Sequence, residues 1–491
     1  MGGRFDGRND ERARPIPVFA SSRSSVPPSR RLLLVSYHFP PDPSVGGLRW
    51  QKLARYARER GWGVDVLSLH PEALVTADLG RLADLPPDTR VFGVLPSTPR
   101  TTRAIERVWS ALRPAKGTQP TGGAAGARSA SRAMADLRWW PPGRGDLARA
   151  YHVWADAASG RAWARDAVRL GRAVVERGLH RAVVSSGPPH FCHSAARELA
   201  RMAGIPFVMD MRDPWSLVQR LPDHLTSPLW MAMATAGERR SVRDAALVVT
   251  NTDPHRDALC RRHPAEAERI ISITNGSDED EPLPPRRWER RFVVAYAGTI
   301  YLDRDPRPLF QAAARTIRTL GLAPEEFGIE LMGDVSALDG VPLRAMAEAS
   351  GIAPFVQLHP AGPRAAAQSF LAGAALLLLL HQDSTYAIPA KLFEYLRHEA
   401  WVLALADRES AVERLLRGSS ADVVAPEDVD GIAAVLERRM LAHRSGERPA
   451  AIVHEGAYGR RAQAERLLAE IERITGVTSQ TGQAVEVAAC T

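Results

Sequence analysis

Short apolar runs alternate with helical patterns along this chain, and the alternation runs through twice. RLLLVSY (31–37), WGVDVLSL (62–69), RVFGVLP (90–96), RAVVSSG (181–187), PFVMDM (206–211), ALVVTN (246–251) and RIISITNG (269–276) form a first set. The acidic, Pro-rich SDEDEPLPPRRWERR (277–291) reads as a linker. The rhythm then restarts with RFVVAYAG (291–298), FGIELMG (327–333), FVQLHP (355–360), ALLLLLH (375–381), WVLAL (401–405) and ADVVAP (421–426). Strand–helix–strand repetition builds parallel sheets, and strands that are apolar along their whole length are covered by helices on both faces. The pattern predicts an α/β chain of two Rossmann-like domains in series.

The 491 residues suit two or three domains, and 45% hydrophobic with 24% charged residues is the make-up of a chain that buries sizeable cores. A net charge of +8 favours anionic partners. The arginines are spread over the whole length without interleaved aromatics, so nucleic acid is not an expected partner. Cys192, Cys260 and Cys490 are odd in number and widely spaced, which suits a reducing compartment rather than a disulfide framework or a zinc site. Residues 1–30 have no apolar signal-peptide core and read as a disordered basic arm, and 477–491 read as a flexible tail. The most apolar run, AGAALLLLL (372–380), is shorter than the roughly 20 residues of a membrane helix and suits a buried strand. The expected domains are 31–280 and 281–476, the first interrupted by a low-complexity insertion at about 99–135. Trp109, Trp139 and Trp140 in and after that insertion suit either an interface-seeking element or packing on the domain.

In open α/β sheets ligands bind beyond the carboxyl ends of the strands, so the residues just after each strand carry the functional signal. HFPPDPSVGGLRWQKLA (38–54) follows the first strand. Its Gly46 and Gly47 permit close backbone approach and open a helix whose free N–H groups suit an anion, although a plain tight turn has the same form. SSGPPHFCH (185–193) brings His190 and His193 to the end of the fourth strand, as functional or as packed histidines. MDMRDPWSL (209–217) lines up Asp210, Arg212 and Asp213, as a site or as an ion-pair cluster that fixes the loop.

In the second half, YAGTIYLDRDPRPLFQA (296–312) places Gly298 in a turn, Arg304 in the loop and Pro308 at a helix start, an arrangement suited to a diphosphate. Lys391 and Glu394 share one face at the head of AKLFEYLRHEA (390–400). They read as a cation for phosphate with a carboxylate for ribose hydroxyls, or as an intrahelical pair. Lysine occurs only at Lys52, Lys116 and Lys391 in a chain whose Lys and Arg total 64. A lysine at this position points to a crowded phosphate oxygen that a compact ammonium reaches and a guanidinium fork does not.

HFPPDPSVGGLRWQKLARYARERGWGVDVLS, SSGPPHFCHSAARELARMAGIPFVMDMRDPW, AYAGTIYLDRDPRPLFQA and IPAKLFEYLRHEAWVLAL, in this order and spacing, resemble the bacterial family 4 glycosyltransferases of GT-B fold, over about Arg31 to Gly476. The resemblance implies a retaining transferase that binds a nucleotide-diphospho-sugar on its C-terminal domain and an acceptor on its N-terminal domain, with no metal and no cofactor. It implies that Gly46 and Gly47 border the donor's phosphates or the acceptor, that Arg304 and Lys391 serve the diphosphate, and that Glu394 serves the donor ribose. Glu394 matches the second glutamate of the family's E-x7-E pattern; the first position is Tyr386, a departure on the sugar side of the site.

The mechanism so implied has the acceptor hydroxyl attack on the face that the leaving diphosphate vacates. The diphosphate takes the proton, His190 orients donor sugar or acceptor, and Arg212 and Asp213 position the acceptor. A carbohydrate or lipid-linked acceptor in cell-surface polysaccharide or glycolipid synthesis fits the family, in the cytoplasm with the basic arm against an anionic inner membrane surface. Two other readings share the fold: a sugar-nucleotide epimerase, and a non-catalytic nucleotide-sugar-binding partner.

Overall fold

A computed structural model describes residues 17–20, 29–97, 144–278, 281–382, 384–452 and 458–477. Most of the basic arm, the 99–135 insertion, Trp109, Trp139, Trp140 and nearly all of the tail lie outside the described residues. The first sheet holds β1 (Phe19–Ala20), β2 (Arg30–Ser36), β3 (Trp62–Leu69), β4 (Arg90–Val94), β5 (His180–Gly187), β6 (Phe207–Met211), β7 (Leu247–Thr250) and β8 (Ile270–Ser272). The second holds β9 (Phe292–Ala297), β10 (Phe327–Met332), β13 (Val356–His359), β14 (Leu376–His381), β15 (Trp401–Ala406) and β16 (Asp422–Val424), while β11 (Ala337–Leu338) and β12 (Val341–Pro342) form a small hairpin. Every apolar run named from the sequence is a strand here.

The strand orders are β1-β4-β3-β2-β5-β6-β7-β8 and β13-β10-β9-β14-β15-β16, parallel throughout except for β1, which runs antiparallel to β4. Leaving β1 aside, both sheets share one doubly wound order, stepping outward from their first strand and then restarting on its other side. Helices cover both faces. In β2 the side chains alternate, as a pleated strand requires: Leu33 and Val35 join Trp163, Leu199 and Met209 on one face, while Leu32 and Leu34 join Trp50, Tyr56 and Trp62 on the other. All four are fully buried, each contributing on the order of 1.5–3 kcal/mol, and this explains why no polar residue interrupts the run.

The helices are α1 (Leu48–Glu59), α2 (Gly80–Ala83), α3 (Arg144–Val174), α4 (Phe191–Ala203), α5 (Pro228–Asp244), α6 (Asp253–Arg262), α7 (Arg307–Leu320), α8 (Leu343–Ala349), α9 (Arg364–Gly373), α10 (Ala390–Tyr395), α11 (Ala411–Leu416), α12 (Val429–Arg444) and α13 (Arg460–Thr475). Two placements differ from the sequence reading. Phe19–Ala20, inside the arm expected to be disordered, adds an edge strand to β4. The last helix, α13, falls within the 281–476 span but packs on the first domain. Its stripe Ala464, Leu467, Leu468 and Ile471 repeats at helical spacing and joins the core under Trp50 and Trp62. Its Glu472 accepts from Trp62 Nε1 at 3.1 Å and Arg60 Nη2 at 2.5 Å.

The chain thus crosses between domains twice, and the crossings run side by side. Ser277 N donates to Tyr458 O at 3.0 Å, and Arg460 N donates to Ser277 O at 2.9 Å. A Cβ at Gly276 would stand 2.6 Å from Tyr458 O, so only glycine allows this approach.

Candidate functional site

In each sheet the winding reverses beside its first strand, between β2 and β5 and between β9 and β14. Loops leaving neighbouring strands there diverge to opposite faces and open a crevice at the carboxyl ends. The residues singled out from the sequence sit at these two places.

On the second domain, β9 ends in Gly298, whose φ of +147° favours glycine. A Cβ there would lie 2.3 Å from Lys391 Nζ. The ammonium is therefore seated on the Gly298 backbone, and it also stands over the Tyr296 ring, 4.0 Å from the centroid. Tyr296 OH donates to Thr299 O at 2.7 Å and so fixes that ring. Gly333, the residue after β10, repeats the device: at φ +130° it comes so close that a Cβ would meet Gly298 O at 2.2 Å. It was not named as a site residue, although a glycine directly after a strand was visible in the sequence. Arg304 is half-buried, and its guanidinium stacks on Tyr301 at 4.4 Å.

Glu394, one turn along α10 from Lys391, directs its carboxylate to α9. It pairs with Arg364 Nη1 at 2.8 Å and accepts from Gln368 Nε2 at 3.0 Å. Gln368 in turn accepts from His398 Nε2 at 3.1 Å, and burial lowers the His398 pKa to about 4. Lys391 and Glu394 thus have separate surroundings, as a division of labour on one helix requires.

On the first domain, Val45–Gly47 form a single 3-10 turn that leads into α1. Gly46 lets Arg212 close over the turn: a Cβ would stand 3.0 Å from Arg212 Nη1 and 3.2 Å from His38 Cδ2. Gly47 packs on Phe39, where a Cβ would be 3.0 Å from the backbone. Arg212 also donates to Pro188 O through Nη2, and its N–H donates to Gly187 O at 2.8 Å, tying the Arg212 loop to the His190 loop.

The other acidic residues around Arg212 separate. Asp210 is buried, accepting from Trp50 Nε1 at 2.7 Å and Arg49 Nε at 3.2 Å. Its ion-pair partner is Arg49, not the Arg212 of the loop cluster expected from the sequence. Arg49 also donates to Ile273 O and Thr274 O, both at 3.0 Å, and so anchors α1 to the segment entering the linker. Asp213 is exposed.

His190 stacks on Trp215, with centroids 4.9 Å apart and planes at 10°. Its Nδ1 is 3.3 Å from His193 Nε2, and His193 Nδ1 is 2.7 Å from Ser185 Oγ. Gly187 makes room for both rings, since a Cβ would stand 2.5 Å from His193 Nε2. Burial lowers the pKa of both, His193 to about 3 and His190 well below its usual range, with Arg212 opposing protonation further. At neutral pH the chain Ser185–His193–His190 is uncharged, so it transmits hydrogen-bond direction rather than charge.

The two domains meet across the crevice. Thr252 Oγ1 donates to Tyr386 O and Thr385 N donates to Gln219 Oε1, both at 2.5 Å, and Arg220 pairs with Asp303 at 2.9 Å. His255, unremarked in the sequence, lies buried 6.4 Å from the Tyr386 ring with its pKa lowered to about 4 by burial. Among the described residues no group of His, Cys, Asp and Glu side chains is disposed to hold a metal ion, and no helix is long and apolar enough to cross a membrane.

No protein-family model matches the chain, and no curated protein does. Among solved structures it is similar to WaaG, a glycosyltransferase involved in lipopolysaccharide biosynthesis, at 16% identity and TM-score 0.53, over 91% of this chain and 99% of that one. It is similar to Anabaena HepE in complex with UDP-glucose at 14% identity and TM-score 0.51, over 93% and 99%. A trehalose 6-phosphate synthase from Burkholderia multivorans matches at 13% identity and TM-score 0.54, over 94% and 99%. At these identities the likeness establishes the fold: α/β, of GT-B type, with two Rossmann-like domains and a cleft between them.

Proposed function

We propose that this chain is a glycosyltransferase that moves a sugar from a nucleotide-diphospho-sugar to an acceptor hydroxyl with retention. The observation that carries the reading is the seat of Lys391 on the Gly298 backbone, at the point where the second sheet reverses its winding. Solved structures of the same fold include a glycosyltransferase and a protein holding UDP-glucose, which supports the donor class.

In this reading the donor diphosphate lies against Gly298 and Gly333, where backbone approach is closest. Lys391 and Arg304 meet the charge that grows on the leaving diphosphate as the anomeric carbon becomes oxocarbenium-like, and a fixed cation lowers that barrier without reorganising. Glu394 receives the ribose hydroxyls, exchanging its bond from Gln368 for theirs while Arg364 holds the carboxylate in place. Across the cleft, neutral His190 orients the reacting hydroxyl or the donor sugar, and Arg212, with Asp213 beside it, positions the acceptor. The hydroxyl attacks on the vacated face and its proton passes to the diphosphate, with no metal or cofactor in the step. Polysaccharide or glycolipid synthesis at the cytoplasmic membrane surface is the setting we infer.

Calorimetric titration with UDP, GDP, ADP and dTDP tests this. One nucleotide binds, and Lys391→Ala or Arg304→Ala weakens it by about 1.5–3 kcal/mol, the worth of a hydrogen bond to a charged group. Binding of none of the four overturns the donor site. Consumption of the nucleotide-sugar only when acceptor is present separates transfer from epimerisation and from binding without catalysis.

A further inference from the structure

Beside His190 the first domain holds a cavity of about 1040 Å³, walled by α3, α4 and α5. Its floor is aromatic. Tyr37, Trp163 and Phe191 form a cluster with centroids 5.3–5.4 Å apart, edge-on or tilted to one another, and the Trp215 that carries His190 continues it. Two glycines seat these rings flush on helix backbones: a Cβ at Gly160 would stand 2.4 Å from Phe191, and one at Gly237 would stand 2.6 Å from Trp215. A rigid ring surface with few polar groups suits the apolar face of a sugar.

The charged groups that line the cavity fall into two kinds. Asp156 stands near Tyr37, and the protein around it raises its carboxyl pKa by withdrawing it from water. A carboxylate there accepts from sugar hydroxyls. Arg161 on α3 and Arg240 on α5 line the same cavity, are exposed, and form no ion pair among the described residues. Other arginines of these helices and of α4 lie outside the cavity: Arg169 pairs with Asp166, Arg197 and Arg243 both pair with Asp244, and Arg165, Arg172 and Arg239 form no ion pair among the described residues but do not line it. Arg161 is five residues beyond Asp156 on α3, about 7.5 Å along the axis and about 140° around it, so carboxylate and cation border different parts of the cavity wall.

From this arrangement we infer that the acceptor is an anionic glycoside: a sugar stacked on the aromatic floor, its reacting hydroxyl at His190, its phosphate or diphosphate held by Arg161 and Arg240. Guanidinium forks match phosphate oxygens in pairs. The inference rests on the transferase reading, since it is that reading which makes the ligand beside His190 an acceptor.

The test is titration of the full chain with glucose 1-phosphate, galactose 1-phosphate and N-acetylglucosamine 1-phosphate, with the free sugars as controls, on wild type and on the Arg161→Ala/Arg240→Ala double variant. At least one glycosyl phosphate binds. Its free sugar binds about tenfold or more weakly, and the double variant loses a similar factor while its nucleotide affinity is unchanged. Binding of none of the three, free sugar binding as tightly as its phosphate, or binding undiminished in the double variant overturns the inference. A prenyl-diphospho-sugar that binds about tenfold tighter than its soluble counterpart identifies a lipid carrier as the source of the anion, while equal affinities identify a soluble sugar phosphate. Loss of nucleotide binding with glycosyl phosphate binding intact removes the transferase reading and leaves the cavity's ligand class standing.

Discussion

At the end of β9 a lysine ammonium rests on a glycine backbone, and the next strand ends in a second glycine pressed against the first. The end of β5 is furnished differently, with the buried His193 and the half-buried His190, a tryptophan stacked on His190, and an arginine bound to backbone carbonyl. Both places are the winding reversal of a sheet with the same strand order. The shared topology opens a crevice in each domain but does not decide its chemistry. Bare backbone with a compact cation suits phosphate, and neutral rings with directed hydrogen bonds suit a sugar. The difference lies in which side chains follow the strands.

Two glycine substitutions should separate these crevices most sharply. Gly298→Ala forces alanine into a left-handed conformation, at a cost of about 1–3 kcal/mol, and drives its Cβ into Lys391. Nucleotide affinity should fall on the order of 100-fold by calorimetry. Gly46→Ala has no such conformational penalty and meets side chains alone, the far end of Arg212 and the edge of the His38 ring, so nucleotide affinity should change by less than about threefold while kcat/KM for the acceptor falls. An equal loss of nucleotide affinity in both variants would break the comparison and move the first glycine loop onto the donor's phosphates.

Lys391→Arg comes next. The charge is kept, but the space between the Gly298 backbone and the Tyr296 face is filled by an ammonium 4.0 Å from the ring. The planar fork should fit no better than alanine, with a loss of about tenfold in nucleotide affinity. Affinity retained in Lys391→Arg would mean that only charge matters there, and the scarcity of lysine in this chain would carry no information at that position.

How much of this was legible in the sequence follows the same division. The strands were legible because burial on both faces removes polar residues from whole runs; Gly298 was legible because it directly follows a strand, Gly46 and His190 because they stand in the segments that lead from strand ends into helices, and Lys391 because lysine is scarce and it opens a helix. Asp210 looked like a partner of Arg212 two positions away, yet β6 ends between them at Met211, so Arg212 follows the loop while the Asp210 carboxylate turns inward to Trp50 and Arg49. Glu394 found Arg364, thirty positions earlier, through helix packing that no local pattern encodes. The cavity was hidden for the same reason: Asp156, Phe191 and Arg240 come from three separate helices. The return of α13 was readable as an amphipathic stripe, but nothing in the stripe says which sheet it covers.

A pH series addresses the neutral character of the first crevice. His193 and His255 have pKa values lowered to about 3 and about 4, and His190 lies well below its usual range, all chiefly through burial. The unfolded chain protonates these groups below about pH 6.5 while the folded chain does not, so stability is full above that pH and falls as pH drops toward 4. Each such histidine contributes a slope of about 1.4 kcal/mol per pH unit in that window. The second domain has buried His398, lowered to about 4, and half-buried His443. Hydrogen exchange at pH 7.5, 6 and 5 should therefore show β5 and α4 losing protection before β14 and β15. Simultaneous loss in both domains would mean that they unfold as one unit; in either case His193→Asn, which removes one of the lowered groups, should flatten the fall in stability between about pH 6.5 and about pH 4.

The smallest effect concerns the contact between the halves. Arg220 reaches from the first domain to Asp303 of the second, and Asp303 is substantially exposed, so solvent screens the pair and its worth is about 0–1 kcal/mol. Arg220→Ala should leave the melting temperature within about 2 °C, as expected for so small a change in a chain of this size. The bonds from Thr252 Oγ1 to Tyr386 O and from Thr385 N to Gln219 Oε1 hold the same junction without formal charge and are less sensitive to salt. If the crevices act as one site, weakening this junction raises KM for donor and acceptor together, by less than about threefold, and raising the salt concentration mimics the variant. A change in only one KM would show that Arg220 serves the crevice on that side rather than the meeting of the two.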